Sequence, residues 1–439
     1  MSSSTAAATG TRNYLIVTFA YWGFTLTDGA LRMLVLLHFF RLGYSPFTLA
    51  FLFLLYEAAG IAANLIGGWL ATRFGIARML AVGLSTQIIG FLLLSAVSPG
   101  WGAALSVAWV VAAQGICGVA KDLTKTASKS AIKLTHDAAF GGAADSRPRA
   151  SPSGDGARGE ASGRLFRWVA FFTGSKNAMK GLGFFLGGLL LEAFGFRAAL
   201  WLMAAALAAV LAGVLLSLPP MMGKARASRS ARELFAKNRG VNLLAAARVF
   251  LFGARDVWFV VGLPVFLYAN GWSFAMVGGF LAVWTIGYGV IQASAPALVR
   301  RSPDGLASEV PAARAWSLAL ALLPLALAGL MLAGAPRPDL YVPLGLCAFG
   351  VLFAVNSSVH SYLVLAYAGS EKAAEDVGFY YAANAAGRFL GTLLSGLLYL
   401  WGGLAACLLG AAAMLLGCWT ISLAFPARRA DIRSYTSGR

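Results

Sequence analysis

The sequence predicts an all-α membrane protein of twelve transmembrane helices arranged as two pseudo-symmetric six-helix halves. Three observations carry this reading: long apolar runs along the whole chain, positive charge confined to alternate connections, and an internal repeat in the polar residues. Of 439 residues, 59% are hydrophobic and 12% charged, and the mean hydropathy is +0.74. A soluble chain of this size cannot cover so much apolar surface. A helix needs about 20 residues to cross the hydrocarbon. Runs of about that length or longer fall near 13–40, 47–70, 79–97, 102–120, 166–191, 198–218, 241–268, 274–298, 315–334, 340–367, 377–400 and 403–424. The polar start MSSSTAAATGTR leads straight into the first run, which is too long for a cleaved signal peptide and lacks a convincing cleavage site.

The formal net charge is +18, and its distribution identifies its meaning. Of 35 Lys and Arg, 26 fall in the termini and in alternate connections on one side. Arg41, Arg197 and Arg337 lie in opposite-side loops, and six more sit inside spans. This is the positive-inside bias. It places both termini in the cytoplasm, requires an even number of spans, and argues against nucleic acid as a partner.

The repeat supports the even count. With an offset of 228, Asp28 falls on Asp256, Gly43 on Gly271, Ser45 on Ser273, Asn64 on Gln292 and Arg73 on Arg301. With an offset of 208, Lys176 falls on Asn384, Lys180 on Arg388, Gly183 on Gly391 and Gly188 on Gly396. The 20-residue difference points to extra sequence in the first half, and the Gly-, Ala-, Ser- and Pro-rich stretch 136–163 reads as a flexible cytoplasmic loop. The expected organisation is a six-helix half over 1–218, a basic linker over 219–240, a second half over 241–424 and a cytoplasmic tail over 425–439. Parallel repeats of this kind, with a substrate site near midplane between the halves, are the architecture of major facilitator transporters. The loop GWLATRFGIAR (68–78) resembles that superfamily's signature at Gly68, Arg73, Gly75 and Arg78. Thr72 stands where the signature has an acid, which leaves an acid-based lock at that loop without its acid.

Nine ionisable residues fall well inside spans: Asp28, Arg32, Glu57, Lys176, Lys180, Arg248, Arg255, Asp256 and Arg388. Each costs roughly 2.5–3.5 kcal/mol at a helix centre on insertion scales, an upper bound on the order of 25 kcal/mol in all. Such charges face a polar cavity or one another. Asp28 and Arg32 are four apart and within pairing reach on one helix. Lys176, Lys180, Gly183 and Gly187 share a stripe with small residues that permit close helix approach, and Asn384, Arg388, Gly391 and Ser395 repeat it. Six cations against three acids suit an anion with phosphate-like oxygens, which Arg binds as a fork and Lys as a point charge. The expected anion site is Arg32, Lys176, Lys180, Arg255 and Arg388, with Arg248 nearer the cytoplasm. Glu57, Asp28 and Asp256 are the candidates for proton coupling or for conformation-locking ion pairs. Glu57 has no base on its own helix, leaving either a protonatable acid or a partner Arg from a neighbouring helix.

Lys121, Lys125, Lys129 and Lys133 recur every four residues beyond the fourth span. They read as a helix on anionic headgroups or as a basic entrance to the cavity. His38 and His360 read as interior or interfacial hydrogen-bonding residues. Cys117, Cys347, Cys407 and Cys418 are scattered through apolar spans and read as packing residues, with neither a disulfide frame nor a metal site. No nucleotide-binding loop or hydrolytic motif is present, so an enzyme is not expected and no cofactor is implied. Energy would come from an ion gradient or the substrate's own.

Several stretches resemble the ArsJ-type organoarsenical efflux permeases of bacterial arsenic operons. They are YWGFTLTDGALRMLVLLHF (21–39), AKDLTKTASKSAIKL (120–134), FTGSKNAMKGLGFFLGGLLL (172–191), LFGARDVWFVVGLPVFLY (251–268) and VGFYYAANAAGRFLGTLLSGLLY (377–399). The resemblance covers nearly all spans and includes the intramembrane charges. It weakens in the 136–163 and 302–314 loops and at both termini. It implies export of 1-arseno-3-phosphoglycerate across the bacterial inner membrane by alternating access, conferring arsenate resistance, with glyceraldehyde-3-phosphate dehydrogenase as the functional partner that makes the substrate. Three alternatives remain: a proton-coupled drug exporter, a phosphate-ester transporter, and a non-transporting sensor or assembly factor on the same scaffold. The excess of intramembrane bases counts against cationic drugs.

Overall fold

The computed structural model describes residues 3–140, 154–219, 238–298, 306–367 and 373–427. All regular structure among them is α-helical. In chain order the helices are α1 (Ser3–Arg41), α2 (Pro46–Phe74), α3 (Ile76–Ser95), α4 (Ala103–Phe140), α5 (Gly154–Ser217), α6 (Arg239–Phe259), α7 (Gly262–Ala269), α8 (Phe274–Leu298), α9 (Glu309–Leu332), α10 (Pro338–Tyr367) and α11 (Ala373–Leu423).

Among the described residues, ten helical stretches are long and apolar enough to cross a membrane. Two of them, Ser175–Ser217 and Phe379–Leu423, are 43 and 45 residues long. At 1.5 Å per residue each would run about 65 Å, roughly twice the hydrocarbon thickness. Each reverses at glycine. α5 breaks at Gly195 (φ 75°, ψ 177°) and α11 at Gly402 and Gly403 (φ 61° at the latter). Side-chain and close-approach contacts prove the reversal. Along its first arm α5 meets α1 at Trp22 and then Ala30; along its second it meets His38 and finally Arg12. Counting both arms of each separately, the described residues hold twelve helical segments long enough to cross. α6 and α7 form one crossing interrupted at Val260 and Val261. The hydroxyl of Ser395 accepts hydrogen bonds from the freed Val261 and Gly262 N–H groups, at 3.2 and 3.1 Å.

The repeat is visible in the backbone. Gly43 and Gly271, matched by the 228 offset, have φ of 87° and 88°. In each turn the amide three residues past the helix end reaches back to close it, Tyr44 to the Phe39 carbonyl at 3.2 Å and Trp272 to that of Leu267 at 3.1 Å. Only glycine adopts that φ without strain. The close-packed stripes also match. A methyl group on Gly183 would stand 2.3 Å from the Leu26 carbonyl, and one on Gly391 would stand 2.5 Å from that of Gly253. The first arm of α5 thus lies on α1 as the first arm of α11 lies on α6.

We call the end near Arg12, Ser217 and Tyr367 the termini end, and the end near Gly43, Gly195 and Gly271 the far end. The helices meet across the halves at the far end, where Gly188 abuts the Phe274 carbonyl, Gly278 that of Phe184 and Gly396 that of Pro46. Phe40 and Tyr268 meet edge to face nearby. Buried side chains of α6, α8 and α10 form an aromatic cluster around Trp258, Trp284 and Phe349.

The stretch 136–163, expected as a loop, is partly helical. Residues 136–140 continue α4, 154–163 open α5, and 141–153 lie outside the described residues. A helix already nucleated extends at little further entropic cost, and HDAAF is rich in alanine. Most of the 219–240 linker and of the 425–439 tail also lies outside them.

Candidate functional site

Between the halves lies a cavity of about 250 Å³, lined by α1, α2, α4, α5, α6, α8, α10 and α11. Its walls carry eight cations and four carboxylates, an excess of four positive charges. All nine intramembrane charges read from the sequence line it. So do Lys121, Asp122 and Lys125, which sequence reasoning placed outside the membrane. The lining reaches Gln292 and Ser361 toward the termini end, whereas the far end is closed by the glycine contacts already described.

Glu57 is the hub. It is 1% exposed and forms an ion pair with Arg32 of α1, another with Arg388 of α11 at 2.6 Å, and a longer one with Lys121 of α4 at 3.7 Å. Glu57 thus has partners on three neighbouring helices, two arginines and one lysine. Arg388 also reaches Asp256 at 3.3 Å, so one guanidinium joins an acid of each half. Asp256 in turn accepts from Arg255 at 2.7 Å. Lys121 sits 3.9 Å from the Tyr56 ring centre and 3.7 Å from Asp122, whose second partner is Lys125 at 3.3 Å.

The pair expected between Asp28 and Arg32 is not formed. Arg32 turns to Glu57, and Asp28 accepts a hydrogen bond of 2.5 Å from the Tyr56 hydroxyl. Adjacent positions on α2 thus supply a carboxylate to one and a donor to the other. Lys180 and Arg248 form no ion pair with any described residue. The Lys180 ammonium faces the cavity near the Phe184 ring (5.6 Å). The Arg248 guanidinium lies against Phe252 (3.9 Å) and Tyr380 (4.8 Å), donates to the Ser357 carbonyl at 3.2 Å, and leaves its Nε without a partner. Lys176 lines the same cavity.

Of the remaining candidates, His38 stacks on Phe196 at 4.1 Å, outside the cavity. His360 is fully buried, edge-on to Phe425, with neither ring nitrogen hydrogen-bonded. Cys117, Cys407 and Cys418 are buried and Cys347 is exposed. No group of His, Cys, Asp or Glu able to hold a metal ion occurs among the described residues. Lys121 and Lys125 were read as a headgroup-facing helix or a basic entrance to the cavity, and Asp122 was not singled out, because apolarity stops at Ala120 while the helix does not. The four-residue lysine period was the available signal.

The profile of the Major Facilitator Superfamily matches residues 163–392, just over half of the chain. The chain belongs to that superfamily. Solved structures agree on the fold at low identity. A POT family transporter in complex with 5-aminolevulinic acid superposes with a TM-score of 0.67 at 14% identity, covering 94% of this chain and 95% of its own. The nucleoside transporter NupG, in mutant form, gives 0.67 at 15%, covering 94% and 98%. The human organic anion transporter MFSD10 (TETRAN) gives 0.59 at 16%, covering 96% and 100%. No curated relative matches the sequence. This superfamily member is a multi-pass membrane protein built as a secondary transporter, a carrier of small molecules and not an enzyme. In such a carrier a charged cavity between the halves, closed at one end, is where alternating access presents the substrate site.

Proposed function

We propose that this carrier exports an anionic organoarsenical, 1-arseno-3-phosphoglycerate, and thereby confers arsenate resistance. The observation that carries the anion reading is the excess of four positive charges in an enclosed central cavity. A cation entering it would meet repulsion from cations that existing carboxylates do not neutralise. The cavity is also small. Pockets for drug-sized ligands run about 300–1,000 Å³, so about 250 Å³ suits a metabolite better than a drug. The arsenical itself rests on the resemblance to ArsJ-type permeases over the spans that bear these charges, with glyceraldehyde-3-phosphate dehydrogenase as the source of substrate.

In this reading Arg32, Lys176, Lys180, Arg248, Arg255 and Arg388 receive the anion. Glu57 and Asp256 hold Arg32, Arg255 and Arg388 in place until it arrives, while Asp28 is bound by the Tyr56 hydroxyl. Both termini face the cytoplasm of a bacterial inner-membrane protein, following the positive-inside bias. The cavity then reaches toward the cytoplasmic side, where the substrate is made.

The test is cellular arsenic after arsenate exposure, in a host lacking its own arsenic exporters. The host expresses this chain with or without additional glyceraldehyde-3-phosphate dehydrogenase. Less arsenic only when both are present is the expected result. Unchanged arsenic, with the protein present in the membrane, refutes the arsenical and turns the question to phosphate esters.

A further inference from the structure

Six of the eight cavity cations are engaged. Arg32, Arg255, Arg388, Lys121 and Lys125 are each tied to a carboxylate, and Lys176 has interactions of its own. Lys180 and Arg248 remain. They come from opposite halves, Lys180 from the first arm of α5 and Arg248 from α6. They also stand at different depths. The Lys180 carbonyl touches α1 at Gly29, the position that the repeat matches to residue 257 on α6. Arg248 lies nine residues earlier on α6, about 13 Å toward the termini end at 1.5 Å per residue. Flexible side chains narrow or widen that separation by a few ångströms.

Each is prepared for an anion in a different way. Lys180 presents a movable side chain at the cavity wall with no ion pair to any described residue. Arg248 is 3% exposed and lies over the Phe252 and Tyr380 rings, which with the Ser357 carbonyl restrain its guanidinium, and its Nε is left without a partner. A buried guanidinium nitrogen without an acceptor is costly unless a ligand supplies one. A fixed fork is suited to a flat or tetrahedral oxyanion.

Resting on the anion reading above, we infer that Lys180 and Arg248 are the two end anchors of the substrate site. The substrate class is an elongated molecule with an oxyanion group at each end, held lengthwise along the cavity. One end sits at Lys180 beside the central ion network, and the other at Arg248 toward the termini end. Because the anchors belong to different halves, only a two-headed ligand ties the halves together. A one-headed anion fills one anchor and leaves the other unpaired. Chain length between the heads is therefore a selectivity determinant.

The test uses purified full-length protein in detergent, titrated with methylphosphonate and with α,ω-alkane bisphosphonates of one to six methylenes, binding being read by tryptophan fluorescence. The expected result is an optimum at intermediate length, with affinity at least about tenfold above methylphosphonate. Lys180→Gln and Arg248→Gln should each lower affinity for the best bisphosphonate by about tenfold to a hundredfold, the range for one charge-assisted contact. Each should bring it to the methylphosphonate level. The wild-type length series needs no variant, so it decides even if a substitution prevents folding. Bisphosphonates of every length binding no better than methylphosphonate would overturn the two-anchor inference while leaving the anion site standing. Failure of every phosphonate to bind would overturn both.

Discussion

Replacing Glu57 with Gln tests the central network most directly. The substitution keeps the shape and one acceptor but removes the charge that three cations share. Its contacts with Arg32 and Lys121 lie within the first half and do not bear on how the halves associate. The contact with Arg388, at 2.6 Å, crosses between α2 and α11. A charge-assisted hydrogen bond contributes about 1.5–3 kcal/mol net, which is about a 10- to 150-fold shift in a two-state equilibrium. An opposite-facing form populated at about 1% would rise to about 10–60%. The assay is a nitroxide pair at Leu42 and Asn270, exposed positions on the two halves at the far end, in a background with the four cysteines replaced. Pulsed dipolar spectroscopy should show one short distance in the parent and an added long-distance population in Glu57→Gln. An unchanged distance distribution in a folded variant refutes the argument that this bond holds the far end closed.

Further substitutions probe other parts of the same reasoning. Lys180→Gln or Arg388→Gln should abolish transport of the arsenical while the protein still reaches the membrane, as judged by uptake and by fractionation. Tyr56→Phe removes the donor to buried Asp28 and should destabilise the fold by about 1–3 kcal/mol, seen as a lower apparent Tm. Ser395→Ala strips the acceptor from two buried N–H groups at the break between α6 and α7. It should cost about 2–4 kcal/mol and lower the denaturant midpoint, whereas Ser395→Thr should retain most of the stability. Gly183→Val would force a side chain into a space where the neighbouring carbonyl is 2.3 Å from a Cβ position, and monodisperse protein should be lost on size-exclusion chromatography.

Helix placement was legible because one property, apolarity over about 20 residues, decides it. The repeat was legible because Asp28 and Asp256, or Lys180 and Arg388, are too polar for chance alignment within apolar text. The cavity lining followed from the cost of charge in lipid. The pairing did not follow. A spacing of four residues puts Asp28 beside Arg32, but a neighbouring helix offered each a better partner, a carboxylate for Arg32 and a phenol for Asp28. Which helix neighbours which is settled by the glycine stripes acting together over long sequence separations, and a local spacing rule cannot see that. Asp122 was missed, and Lys121 placed at an entrance or on headgroups instead of beside Glu57, for another reason. Hydropathy locates the end of the apolar run, and α4 extends well past it.

The first arm of α11 carries two parts that have so far been treated separately. Arg388 joins the acids of both halves, and Ser395, seven residues on, plugs the gap where α6 gives way to α7. Seven residues are two helical turns, so both side chains project from one face of a single stiff rod. On the anion reading proposed above, an anion that drew Arg388 away from Glu57 and shifted the rod would withdraw the plug by the same motion. The seventh crossing would then gain a working joint as the central charges rearranged. One helix would in that case gear occupancy at the centre to pliancy at Val260 and Val261, with no signal needing to pass along side chains in between.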